Sequence, residues 1–185
     1  MRNINRIFVL LAASLPILAA AQTTDPDPWL PVRMLVGKWQ GTATGQAGEG
    51  NVSRQYEFIL ANKFIHETNI STYPPQEKNK KGEVHEHRSF LSDDKSRKLL
   101  VLRKFHPEGF VNQFAFNKET SSATRLVFDS EGFEKFSNKW RTRESYDVLG
   151  ADEFTETFEL AQPDKPFQIY SKNHFKRVGR VEPPS

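Results

Sequence analysis

The chain contains no cysteine. That excludes disulfides, a lipid anchor on a lipobox cysteine and a cysteine nucleophile. It lacks a long hydrophobic run as well. The only extended apolar stretch, Ile7 to Leu18, is shorter than the ~20 residues that a spanning helix needs. No sign of charge dominates: there are 26 Lys and Arg against 23 Asp and Glu. Nothing in that balance calls for a nucleic acid or an anionic membrane surface. Methionine is scarce, with two residues against fifteen Phe, so the core is expected to be aromatic and well specified. Gly-x-Ser-x-Gly and phosphate-binding glycine loops are missing too, and enzyme signatures are absent with them.

What is present begins with an address. Arg2 and Arg6 precede the apolar stretch, and Ala19-Ala20-Ala21 follow it as a small-residue cleavage site. Residues 1–21 therefore read as a secretory signal, which predicts a secreted or periplasmic protein with no stable membrane insertion after cleavage. The leader holds two of the 26 basic residues, so the remainder carries 24 against 23 acidic ones. Residues 22–34 form a Pro/Asp-rich linker with a short helical turn near Trp29-Leu30. Residues 35–178 are expected to be one domain, followed by a tail over 179–185.

Within that domain the pattern has period 2, broken by turn clusters, and no long period of 3.6 residues. This is the all-β signature. Ten strands are predicted: 38–44, 52–60, 63–72, 84–92, 97–105, 110–117, 124–130, 139–148, 153–161 and 167–177. Short antiparallel strands with one wet and one dry face need a second sheet or closure. Hairpin-length links favour closure into a single antiparallel up-and-down β-barrel over a sandwich, since closure removes exposed edges.

The segment Asp27-Pro-Trp-Leu-Pro, followed by Leu35-Val-Gly-Lys-Trp-Gln-Gly-Thr, resembles the start of a calycin, the superfamily of lipocalins and fatty-acid-binding proteins. The resemblance implies that a short helix closes one end of the barrel. It implies that Trp39, of Gly37-x-Trp39, packs inside, covered by Arg177 from the last strand. The ten strands and the Gly-x-Trp-x-Gly opening look most like the bacterial nitrobindin-like branch and uncharacterised exported barrels. That branch raises haem b, with nitric oxide or peroxynitrite chemistry, and His174 as its positional match for the iron ligand. The alternation places His174 with Gln168, Lys172 and Lys176 on the wet face, which argues for a surface histidine instead.

Polar residues on apolar-parity faces are the remaining signal. They are Arg54 beside Tyr56, His66 beside Phe64, Arg103 beside Phe105, Asn112 beside Phe114, Glu144 beside Tyr146, and Glu156 beside Phe158. Buried unpaired charges are costly. These residues therefore form either internal ion pairs, such as Arg54 or Arg103 with Glu144 or Glu156, or the lining of a cavity for a small, partly apolar ligand. Fatty-acid-binding barrels use internal arginines to hold a carboxylate. His85 and His87 share a strand face and could form a metal pair, completed by Glu83 or His66. With no further pair at zinc spacing, solvated histidines are the better reading, and His106 belongs to a His-Pro-Glu-Gly turn.

Overall fold

A computed structural model describes residues 27–77, 79–137 and 139–181. The expected signal over 1–21 lies outside them. Ten strands follow a short 3-10 turn, Arg33–Leu35. They are β1 Gly37–Gly45, β2 Gly48–Ile59, β3 Phe64–Tyr73, β4 Glu83–Asp94 and β5 Leu99–Phe105, then β6 Val111–Phe116, β7 Arg125–Glu134, β8 Arg141–Gly150, β9 Glu153–Ala161 and β10 Gln168–Gly179. Each pairs antiparallel with its chain neighbour, and β1 also pairs with β10, so the sheet closes on itself as a barrel. The predicted strands coincide with these to within a few residues, because turn residues mark every link.

Closure gives every strand one inward row. The rows begin at an aromatic floor. Trp29, Val32 and Leu35 from the N-terminal turns pack there with Trp39, Phe154 and Phe175. The Trp39 ring stands edge-on to Phe154 at 4.6 Å, and its indole N–H donates to the Leu35 carbonyl at 2.7 Å. Arg177 lies 4.0 Å above the same ring. Its guanidinium donates to the carbonyls of Val36 (2.7 Å), Met34 (2.7 Å) and Ala151 (3.1 Å), and to Asp152 (2.8 Å). One side chain thus ties the N-terminal turn, the β8–β9 hairpin and β10 together.

Two glycines of the opening motif are explained by contact. A Cβ on Gly37 would stand 2.2 Å from the Arg177 guanidinium, and its φ of +143° lies where side chains are rarely found. A Cβ on Gly41 would meet the His174 carbonyl at 1.8 Å. Glycine is therefore the residue that lets β1 and β10 approach at the closing seam.

The links β1–β2, β3–β4, β5–β6, β7–β8 and β9–β10 all lie at the other end. An interior cavity opens there, lined in part by Gln46, Ala47 and Glu108 from those links.

The Arg177 cap should be measurable. Replacing Arg177 with Met removes the cation over Trp39 and three carbonyl partners, and is expected to cost about 2–4 kcal/mol. Arg177→Lys should recover less than half, because an ammonium cannot span three carbonyls in a plane. Urea unfolding would read both as a lower midpoint at constant slope. An Arg177→Met midpoint equal to that of the parent would contradict the cap.

Candidate functional site

Above the aromatic floor the inward rows turn ionic. β2 supplies Arg54 and Tyr56, β3 supplies Glu67 and Asn69, β5 supplies Lys104, β8 supplies Glu144 and Tyr146, and β9 supplies Glu156. All are buried. Arg54 forms a two-pronged pair with Glu156, at 2.7 and 2.9 Å. Its Nε donates to Asn69 Oδ1 at 2.9 Å and lies 3.0 Å from Glu67. Its Nη1 also donates to the Tyr56 hydroxyl at 3.1 Å. Lys104 Nζ sits 2.6 Å from Glu144 and 3.6 Å from Glu156. The Tyr146 hydroxyl donates to Glu144, and Asn173 donates to Glu156 at 2.6 Å.

This cluster holds two cations, Arg54 and Lys104, and three carboxyls. Its protonation balances it. Burial alone would raise all three carboxyls. At Glu67 the fields of Arg54, Lys104 and His87 outweigh burial and hold the group well below the carboxylate range. At Glu156 those of Arg54 and Lys104 do the same. At Glu144 burial wins, and the neighbouring Glu156 charge adds to it, so the group is pushed up to about 8. Of the three carboxyls Glu144 therefore takes up a proton most readily, beside an ionised Glu156. With that proton in place, two positive and two negative charges remain.

Sequence parity placed Arg54, Tyr56, Asn112, Glu144, Tyr146 and Glu156 inside, and all six are buried inward residues. Two other expectations need correction. Arg103 is exposed and donates to Gln113 at 2.9 Å on the outer surface; Lys104 is the inward cation of β5. His66 lies outside as well, stacked on Phe90 at 5.0 Å and 3.5 Å from Glu57; Glu67 points inward instead. Both errors have one cause. β3 and β5 carry large apolar residues on both faces, such as Phe64 and Ile65, or Val101 and Leu102. Apolar parity there cannot tell inside from outside.

His174 faces outward as the alternation indicates, with its side chain 43% exposed and paired to Glu153 at 2.7 Å. It does not reach the interior, so these residues do not fit a haem held through His174.

Above the ionic layer lies a cavity of 460 Å³. Its base is formed by Arg54, Lys104 and Glu156, and its upper walls include Phe110, Phe133, Phe136, Phe158 and Tyr170. Four buried polar atoms on residues that line the cavity have no protein partner: Asn112 Oδ1, Thr142 Oγ1, Asn173 Oδ1 and His106 Nε2. The sequence favoured solvated histidines at His85 and His87 and simple turn chemistry at His106, and the structure corrects this by placing all three on the cavity wall. His87 is only 8% exposed and stands 3.2 Å from Glu67 Oε1, and His85 and His106 join it on the cavity wall. The one available signal was the spacing of His85 and His87; the β4–β5 register, with Arg88 opposite Phe105, brings His106 beside them. Burial, with the fields of His87, Lys104 and His85, lowers the His106 ring to about 3, so it is neutral.

Two measurements test this layer. Lys104→Met removes a buried partner and should cost about 3–5 kcal/mol, whereas Arg103→Met should stay within about 0.5 kcal/mol; equal costs would contradict the register. Glu144 holds its proton more tightly folded than unfolded. Its contribution to stability is thus complete below its ordinary value of 4.5 and is lost as pH rises towards about 8. The slope is at most about 1.4 kcal/mol per pH unit. In Glu144→Gln that slope should vanish, and comparing the two proteins at each pH cancels the histidines. Parallel curves would show that Glu144 is ionised.

No known protein family matches the sequence, and no curated protein does. Among solved structures the chain is similar to the crystal structure of Rv2717c from M. tuberculosis, with a TM-score of 0.56 and 14% identity over 81% of this chain and 96% of that one. That likeness concerns the fold alone, a closed ten-strand antiparallel barrel.

Proposed function

We propose that this protein is an exported barrel that takes a small, partly apolar molecule into its interior. The observation that carries the reading is the 460 Å³ cavity, open at one end and floored by a charge-balanced polar layer. Small-molecule sites typically fall between about 300 and 1,000 Å³, apolar in the main with a few placed polar groups. Phe110, Phe133, Phe136, Phe158 and Tyr170 supply the apolar part.

The polar groups narrow the chemistry. Arg54 is already committed to Glu156, Asn69 and Tyr56. A ligand carboxylate would have to displace Glu156 to be clamped there, which leaves one buried carboxylate without its main partner. The fatty-acid mode is thus disfavoured. Asn112 and Asn173 instead line the cavity, and each carries a buried amide oxygen that no protein group uses. They suit a neutral ligand carrying hydroxyl or amine donors. Export rests on the pattern of residues 1–21.

Native mass spectrometry of protein from its own host, followed by organic extraction, tests the binding. A non-protein mass is expected, lost on denaturation. Ser171→Trp, which places an indole across the mouth from β10, should abolish it while leaving the fold intact by circular dichroism. A protein that carries no such mass, and that no hydroxylated aromatic probe stabilises, would overturn the reading. The same spectrum tests export, with a mature chain beginning at Gln22 expected.

A further inference from the structure

Three imidazoles meet at the cavity mouth. His85 and His87 come from successive inward positions of β4, and His106 opens the β5–β6 turn. One nitrogen from each lies within 4.8 Å of the others. The ring centroids form a nearly equilateral triangle with sides of 6.0, 5.7 and 5.6 Å. We propose that His85, His87 and His106 form a binding site for a divalent transition metal of the zinc class, with an open coordination position facing the cavity.

Distance supports this first. Zn–N bonds of 2.0–2.1 Å at tetrahedral angles set ligand nitrogens about 3.3 Å apart. His85 Nε2 and His106 Nδ1 already stand 3.5 Å apart. The widest nitrogen separation in the trio needs to close by about 1.5 Å, within the reach of side-chain rotation.

The surroundings match a metal site in a second way. Ligand histidines are usually oriented through a carboxylate. His87 faces Glu67 at 3.2 Å, and His85 Nδ1 faces Glu108 at 3.6 Å and Glu83 at 3.8 Å. His106 is held by stacking on Phe110, with centroids 4.2 Å apart and planes 17° from parallel. Glu67 is already balanced by Arg54 and Lys104, so Glu83 and Glu108 are the carboxylates that offset the positive charge of an ion here. Imidazole ligands suit zinc, copper, nickel and iron rather than magnesium or calcium. Three of them leave one tetrahedral position for water or a ligand head group. Only that last step rests on the cavity being a binding site; the metal site stands without it.

The test is equilibrium dialysis of the metal-stripped protein against Zn²⁺, with Co²⁺ as a spectroscopic probe. One ion per chain is expected, with intense visible bands from four-coordinate cobalt. His85→Ala and His106→Ala should each lose at least about 100-fold in affinity, and Glu67→Gln about 10–100-fold by releasing His87. His66→Ala and His174→Ala, on the outer surface, should bind as the parent does. Thermal unfolding of each metal-free variant checks that the barrel survives, and His85→Asn serves if His85→Ala does not fold. No stoichiometric zinc or cobalt, or unchanged affinity in folded His85 and His106 variants, would overturn the proposal. Ser171→Trp separates it from the interior-ligand reading: that variant should lose the organic ligand and keep the metal.

Discussion

The interior of this barrel depends on the pairing of Arg54 with Glu156. A ten-strand barrel has more inward positions than apolar side chains would need to fill one end, and here the middle layer is ionisable. An isolated charge in that layer would be expensive by several kcal/mol. The two-pronged contact with Glu156 satisfies Arg54 and brings the neighbouring groups into place. Lys104 lies 3.6 Å from Glu156 and its field reaches Glu67, so two cations face two carboxylates once Glu144 holds its proton. The layer is neutral without being apolar, and it divides the barrel into a packed lower half and an open upper half.

The two halves have different tasks. Below the ionic layer, Trp39 sits under the Arg177 guanidinium and over the N-terminal turn, so the chain's entry, its last strand and the β8–β9 hairpin are locked together. Gly37 and Gly41 exist to permit that closeness. Above the layer, the inward rows end in aromatic walls and a cluster of histidines around the cavity. Rigidity at the floor gives the mouth a fixed frame, which is what a site built from side chains of β4 and the β5–β6 turn requires.

Much of the fold was legible because strands and turns are local. Period-2 alternation and turn residues define all ten strands within a few residues, and the Gly-x-Trp opening marks the floor. The site was legible where a strand's dry face is unambiguous: β2, β6, β8 and β9 gave Arg54, Asn112, Glu144 and Glu156 correctly. It failed on β3 and β5, where Ile65 and Val101 stand next to equally apolar neighbours. There the parity is degenerate, and Glu67 and Lys104 were hidden behind His66 and Arg103.

By itself, then, the sequence determined the strand count, the closing motif and the presence of charges where an apolar core was due. Those are properties of short windows of chain. Only the tertiary structure decided which charge meets which. Arg54 and Glu156 are a hundred residues apart in the chain, and barrel closure alone brings their rows face to face. The histidine trio is a milder case of the same rule. Two members are visible as neighbours on one strand, but the third arrives through the β4–β5 register, set by hydrogen bonds between strands and by no local pattern.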